Sequence, residues 1–253
     1  MISTNFSNPL FPNGPTLQPE CQVPFMAGCF SRLPSILYTP HTHSIGSLQS
    51  HRKWWTKTSP AWNKGRIHCA TAPNEVLEAY SAQFSKDIQS FLDARAQEMV
   101  SGGLMTIIIP TIPNETPMSQ STFAAWVDFL GSCLLDMAKM GLVSEDKVDS
   151  FNLPIYPTSP KQLEALIERN GCFSVEGMET LDRPMNHDAA YKAKLFVSHM
   201  RAALDGPIRQ HFGPEIVDKL FDRIAEKSAK SSIFINYNEL AVDSLVILKR
   251  KLD

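Results

Sequence analysis

The chain contains 253 residues with a mass of 28.2 kDa, of which 43% are hydrophobic and 20% are charged. This length and composition are typical of one large globular domain or two small ones, and they exclude a disordered chain, a collagen-like rod and a coiled coil. The formal net charge is -2 and the isoelectric point is near 6.4. We therefore expect binding to neither nucleic acid nor an anionic membrane.

The cysteine pattern and the apolar stretches indicate a cytoplasmic protein. The five cysteines are odd in number and form no Cys-x-x-Cys pair, which excludes a disulfide scaffold and a zinc ribbon. The longest apolar stretch, Leu104 to Ile109, is far shorter than the roughly 20 residues that a membrane span needs. The first residues lack the basic and apolar regions of a secretory signal.

The first sixty residues differ in composition from the rest of the chain. They contain eight of the eighteen prolines but only five charged residues, and their apolar residues follow neither the helical nor the strand period. Because proline lacks a backbone donor and restricts the residue before it, we expect loops with at most short strands there. We therefore divide the chain into an irregular segment, residues 1–58, and a folded part, residues 59–253.

In the folded part, apolar periodicity and capping residues predict helices that alternate with strands. In chain order, the pattern predicts a helix over 73–100, a strand over 104–109, helices over 123–140 and 160–170, a strand near 172–175, helices over 188–204 and 214–227, and a strand over 241–249. The β-branched run that Pro110 ends is typical of a strand buried on both faces of a parallel sheet. The predicted fold class is α/β, a sheet layer covered by an additional helical lobe.

Two polar segments carry the candidate chemistry, since the sequence has no glycine-rich nucleotide loop, zinc-protease motif or serine-hydrolase elbow. They are Ser59-Pro-Ala-Trp-Asn-Lys-Gly65 and Lys147-Val-Asp-Ser-Phe-Asn-Leu-Pro154. Asp149 and Asn152 could present two oxygen ligands to magnesium within one turn. The alternative, which the spacing alone favours, is that both side chains only cap a helix end before Pro154.

These segments belong to a larger set of motifs between about Ser59 and Leu252 that resembles the plant SABATH family of S-adenosylmethionine-dependent methyltransferases. Members of that family methylate small carboxylic acids or purine alkaloid nitrogens. The motifs that carry the resemblance are Ala61-Trp-Asn-Lys-Gly65, Ala79-Tyr80, Gln83-Phe84, Asp87, Phe91-Leu92, Arg95, Glu98, Gly102-Gly103-Leu-Met105, Asp136-Met137, Asp149-Ser-Phe-Asn-Leu-Pro154 and His211-Phe212-Gly213.

The resemblance implies a partial Rossmann-like methyltransferase sheet with a helical cap lobe, a homodimer, and S-adenosyl-L-methionine as cofactor. It also implies magnesium at four positions: Asn63, Asp149, Phe151 through its main chain, and Asn152. Trp126 matches the cap aromatic that walls the acceptor pocket, with Phe123 and Leu130 as further candidates for that wall. From the residues alone Trp126 is equally well a core side chain, so both interpretations stay open.

The first sixty residues depart from the family pattern. The Asp-x-Gly-Cys-x-x-Gly-Pro-Asn cofactor loop and the acidic ribose ligand are not found there. Residues 25–34 resemble a shortened form of another cofactor segment, which leaves Phe30 and Ser31 as candidate cofactor ligands. Residues 44–57, read in a shifted phase, resemble the acceptor-binding His-Trp-Leu-Ser stretch. We therefore hypothesise a frameshifted or mis-spliced segment between about residues 34 and 58, which sequencing of the transcript tests.

The expected function is transfer of a methyl group to the carboxylate of a small plant acid. A carboxylic acid is already ionised near neutral pH, so no catalytic acid or base is expected. The alternative is a catalytically inactive truncated paralogue that keeps the cap and the dimer surface. If the early strands are missing, the strand over 104–109 is expected to have an unpaired apolar edge and to promote aggregation.

Overall fold

The computed structural model describes residues 35–38, 59, 62–181, 189–228 and 242–252. Within these residues the chain forms a four-stranded sheet and six α-helices. The helices are α1 (Asn74–Glu98), α2 (Thr122–Lys139), α3 (Glu145–Asp149), α4 (Pro160–Asn170), α5 (Ala189–Phe212) and α6 (Pro214–Ser228). The strands are β1 (Ser35–Tyr38), β2 (Leu104–Thr111), β3 (Phe173–Leu181) and β4 (Val242–Arg250). None of the helices in this described part is long and apolar enough to cross a membrane.

The ends of α4 show why its bounds were predictable. Ser159 lies at the N-cap, where its hydroxyl accepts a hydrogen bond from the backbone N–H of Gln162 at 3.2 Å, and Pro160 occupies the first turn. Gly171 ends the helix with a φ of 78°, a left-handed conformation that glycine adopts without steric cost. The predicted helices α1, α2 and α6 are also confirmed, and α2 shares the serine N-cap, since Ser121 Oγ accepts the backbone N–H of Ala124 at 3.2 Å.

The prediction for α5 is wrong at its C-terminal end. The pattern predicts an end near residue 204, but the helix continues through Pro207 to Phe212. Proline usually breaks a helix interior, so the sequence favoured an earlier end. The helix continues because Leu204, Ile208 and Phe212 all lie on its buried face, and their packing outweighs the lost hydrogen bond.

The sheet is mixed rather than parallel, which corrects the prediction for β2. The strand order is β1-β2-β4-β3, with β1 parallel to β2 and β4 antiparallel to both β2 and β3. Burial alternates along β2, and Leu104 at its start is 40% exposed, so the strand is not buried on both faces. β1 pairs with one side of β2 and β4 pairs with the other. The expectation that β2 has an unpaired edge is therefore also wrong.

Two large apolar clusters stabilise the described part of the chain. The sheet cluster contains buried residues of α1, β2, α4 and β4 together with Phe173. The helical cluster contains buried residues of α2, α5 and α6, joined by residues of the loops before α1 and before α4. An α/β sheet next to a separate helical core confirms the predicted sheet with a helical cap lobe.

An ion pair joins two helices of the cap. Lys227 on α6 donates hydrogen bonds from Nζ to Asp136 Oδ2 at 2.8 Å and to Ser132 Oγ at 2.9 Å, both on α2. The hydrogen bond from Lys227 is the main cause that lowers the pKa of Asp136 below its ordinary value of 3.8. A carboxyl group with a lowered folded-state pKa stabilises the fold above its unfolded pKa and loses that effect as the pH falls.

We therefore expect Asp136→Asn to lower the midpoint of urea unfolding at pH 7 and to have a smaller effect at pH 3. Below 3.8 the unfolded carboxyl takes up a proton, whereas the lowered pKa of the folded carboxyl resists protonation, so the stabilisation by ionised Asp136 declines as the pH falls. Urea titrations of both chains at the two pH values measure this. An equal loss at pH 7 and pH 3 would contradict the ion pair as the cause.

Candidate functional site

Two distant segments of the chain meet beside the helical cap. Leu153 donates a backbone hydrogen bond to the carbonyl oxygen of Ile67 at 2.7 Å. Gly65 donates its backbone N–H to Asp149 Oδ1 at 3.0 Å, although the two residues are 84 positions apart. Gly65 has a φ of 74°, which favours glycine at this turn. The structure thus brings together the two polar segments that the sequence singled out.

Two buried amides lie on these segments. Asn63 is 1% exposed and Asn152 is 4% exposed. Asn63 Nδ2 donates to the carbonyl oxygen of His68, while Asn63 Oδ1 has no hydrogen-bond partner among the described residues. Neither polar atom of the Asn152 side chain has one within the same part of the chain. Buried polar atoms are nearly always paired, so these amides present unused donor and acceptor capacity.

The predicted magnesium ligands differ in how the fold holds them. Asp149 lies at the C-terminal end of α3 and already accepts the bond from Gly65. The ring of Phe151 is buried, with ring centroids 5.2 Å from His211 and 5.0 Å from Phe212, and this packing fixes its main chain. The capping alternative is not observed for Asn152, because its side chain caps no described backbone group.

The predicted ligands carry amide, carboxylate and main-chain oxygens, the donor type that hard cations take. The described residues contain no group of three or more His, Cys, Asp or Glu side chains placed to hold a metal ion. A cation here would instead depend on the carboxylate of Asp149 together with amide and main-chain oxygens. Such all-oxygen sets suit magnesium or calcium rather than zinc.

His68 is a residue of this site that sequence reasoning missed. Its imidazole is almost fully buried, Nδ1 accepts the backbone N–H of Ala70 at 3.1 Å, and Nε2 lies 2.8 Å from Asp128 Oδ1 on α2. Burial is the main cause that lowers the pKa of His68, against the opposing effect of Asp128. A single histidine outside any motif gave no signal, because its partner Asp128 is 60 positions away.

The three aromatic and aliphatic candidates for the acceptor wall lie in the helical cluster. Phe123, Trp126 and Leu130 are all buried there, and the Phe123 and Trp126 rings pack edge to face with centroids 5.0 Å apart. Trp126 is 6% exposed, as a core side chain is. Its role as a pocket wall stays a prediction, and the cofactor candidates Phe30 and Ser31 lie outside the described residues.

Cys69, the described thiol closest in sequence to His68, is not set up for nucleophilic chemistry. Cys69 is fully buried and donates weakly to the carbonyl oxygen of Ile155 at 3.7 Å. Burial raises the pKa of this thiol to about 12, so it stays protonated at neutral pH. Since the thiolate is the reactive form, Cys69 is a structural residue.

The fold is that of a methyltransferase. The chain superimposes on a solved loganic acid methyltransferase with SAH at a TM-score of 0.76 and 34% sequence identity, over 85% of this chain and 60% of that one. The sequence model of a family described as SAM dependent carboxyl methyltransferase matches residues 43–251. The chain therefore belongs to this family. The match begins within the segment for which we hypothesise a frameshift.

Several plant proteins are similar in sequence. A probable S-adenosylmethionine-dependent methyltransferase from Arabidopsis thaliana is 41% identical over 195 residues, which are 77% of this chain and 54% of that protein. Loganic acid O-methyltransferase from Catharanthus roseus is 39% identical over 198 residues, 77% of this chain and 53% of the relative. Farnesoic acid carboxyl-O-methyltransferase from Arabidopsis thaliana is 31% identical over 194 residues, 77% and 55% of the two chains. The chain thus spans about half the length of these relatives.

We expect Asn152→Leu to raise the free energy of unfolding of the ligand-free chain by about 1 kcal/mol, because leucine removes two buried polar atoms that have no described partner. Asn63→Leu is the matched control. It deletes the bond to the carbonyl oxygen of His68 and should lower stability by about 1–2 kcal/mol. Urea unfolding of both variants checks this, and a comparable loss for Asn152→Leu would show that its amide is paired.

Proposed function

We propose that this chain acts as an S-adenosylmethionine-dependent methyltransferase on the carboxylate of a small plant acid. The observation that carries the proposal is the family match over residues 43–251, which includes both segments that meet at the site. Loganic acid and farnesoic acid name the activities of two similar proteins, so small acids of these kinds are the first substrates to test.

The reaction balances without a catalytic acid or base. An ionised carboxylate oxygen attacks the methyl carbon of the sulfonium, a new C–O bond forms, and the S–C bond breaks to leave a neutral thioether and a methyl ester. S-adenosyl-L-methionine supplies the activated methyl group. Because the carboxylate is already charged near neutral pH, protonation states at the site need not change.

The protein then contributes in two ways: it positions the acid and the methyl donor, and it excludes water from the carboxylate. Phe123 and Trp126, the predicted acceptor wall, pack edge to face on α2 and would hold the acid against rigid apolar rings. Exclusion of water strengthens electrostatic contacts and removes the hydration shell of the carboxylate. Fixed alignment of the oxygen, the methyl carbon and the sulfur supplies the remaining rate enhancement.

Calorimetry with S-adenosyl-L-methionine on the 253-residue chain tests the proposal. We expect a micromolar or tighter dissociation constant, and methyl ester formation from loganic or farnesoic acid followed by mass spectrometry. Cooperative unfolding with no heat of binding would instead favour the alternative, a catalytically inactive truncated paralogue. The unfolding measurement is needed because it separates a folded chain that binds nothing from an unfolded one.

We further propose that magnesium binds at Asn63, Asp149, the main chain of Phe151 and Asn152. The support is the oxygen-rich donor set and the unpaired side-chain oxygens of Asn63 and Asn152 within the described chain. The ion would supply a fixed positive charge that orders the two segments. No step of methyl transfer needs it.

We expect magnesium chloride to raise the thermal unfolding midpoint of the wild-type chain, because a ligand that binds only the native state stabilises it. Asn152→Leu should lose this increase, whereas Asn114→Leu should keep it, because Asn114 is an exposed amide whose Oδ1 accepts the backbone N–H of Lys161 and which is not among the proposed ligands. An identical increase in Asn152→Leu, or none in the wild-type chain, would contradict the proposed site.

We also propose that the protein is a homodimer and that it is located in the cytoplasm. The family resemblance supports the dimer, and the odd number and wide spacing of the cysteines support a reducing compartment. Cys69, Cys133 and Cys172 are free thiols in the described part of the chain.

A further inference from the structure

We propose that His68 is a positioning residue that couples the buried amide of Asn63 to α2 and thereby fixes the segment around Asn63 against the helix that carries the predicted acceptor wall. Its main chain contacts Asn63 and its side chain contacts Asp128 on α2. The inference rests on the proposed function in one respect only: it assumes that α2 carries the wall against which the acceptor acid binds.

The main chain of His68 holds Asn63. The carbonyl oxygen of His68 accepts the hydrogen bond from Asn63 Nδ2, and this is the bond that orients the amide. With Nδ2 engaged, Asn63 Oδ1 is directed elsewhere and has no described partner. A shift of the His68 backbone therefore changes the direction in which this oxygen points.

The side chain of His68 holds α2. Nδ1 accepts from the backbone N–H of Ala70, so Nδ1 carries no proton and the neutral ring has its proton on Nε2. Nε2 then donates to Asp128 Oδ1 at 2.8 Å. The backbone donor thus fixes both the tautomer and the direction of the bond to α2.

Two further contacts make this connection specific. The hydroxyl of Thr71 donates to the same oxygen, Asp128 Oδ1, at 3.3 Å. His68 and Thr71, both in the loop before α1, therefore donate hydrogen bonds to one carboxylate. The imidazole also meets the Phe123 ring edge to face, with centroids 6.4 Å apart. Phe123 in turn packs edge to face on Trp126. The contacts therefore form a continuous chain from Asn63 through His68 to the aromatic pair.

A histidine suits this position for a chemical reason. One planar ring must accept a backbone hydrogen bond on one side, donate to a carboxylate on the other and pack against an aromatic edge. The neutral imidazole does all three, whereas an asparagine or leucine would lose at least one of the contacts. His68 is 1% exposed while the side chain of Asp128 is 52% exposed, so Asp128 can be changed without opening the core.

The test uses Asp128 variants of the full chain, with Asp136→Ala as the matched control. Asp136 is also an aspartate on α2 paired with cations, but its partners are Lys227 and Arg223 on α6. In Asp128→Ala we expect the side-chain amide signal of Asn63 to shift in nitrogen–proton correlation spectra and its hydrogen exchange to accelerate about tenfold, as loss of a charge-assisted hydrogen bond allows.

The conservative variant Asp128→Asn keeps an oxygen acceptor for Nε2–H and should restore the wild-type Asn63 signal. Asp136→Ala should leave that signal unchanged even though it lowers the thermal midpoint. An unchanged Asn63 signal in Asp128→Ala, or an equal change in Asp136→Ala, would overturn the coupling. These spectra are recorded without any ligand, so they decide the inference even if the chain transfers no methyl group.

With S-adenosyl-L-methionine and loganic acid as probes, Asp128→Ala should raise the KM for the acid about tenfold with little change in kcat, since the acceptor wall is displaced before the chemical step. Asp136→Ala should change neither constant. A fall in kcat at constant KM would contradict a positioning role on the acceptor side. Absence of turnover in the wild-type chain would instead count against the proposed function alone.

Discussion

The contact between the segment that precedes α1 and the segment that precedes α4 is the constraint on which the site depends. A backbone hydrogen bond of 2.7 Å between Leu153 and Ile67 crosses between these segments, and both residues are buried in the helical cluster. Because buried backbone groups must be paired, this bond cannot be exchanged for water without a free-energy cost. It brings Asn63 and Asn152 to the same region of the fold.

The side-chain amides of Asn63 and Asn152 are buried with polar atoms that have no partner among the described residues. Buried amide atoms without partners cost free energy, and a chain selected only for stability would carry apolar side chains at these positions. Around them the fold is tightly fixed: Phe151 packs against the rings of His211 and Phe212, and His68 is hydrogen-bonded through both ring nitrogens. Rigid surroundings with unused polar capacity are what a preorganised binding site requires.

Local sequence patterns predicted most elements but not how the strands associate. The bounds of α4 follow from a serine cap, a first-turn proline and a terminal glycine, all of which act within a few residues. The direction of β4 relative to β2 depends on residues more than a hundred positions apart, and no local pattern encodes it. The continuation of α5 through Pro207 also depends on contacts between distant residues. Ile208 and Phe212 pack into the helical cluster, and this packing, not helix propensity, keeps the last turns helical.

The sequence by itself determined the fold class, the family resemblance and the two polar segments around Asn63 and Asp149, because residue types, capping signals and motif spacing are local properties of the chain. Only the tertiary structure decided that Gly65 bonds to Asp149, that Asn152 caps no described backbone group, and that His68 reaches Asp128 on α2. Each of these depends on burial and on contacts between residues far apart in the chain, and hydrogen-bond pairing in a core is settled only when the whole chain has packed.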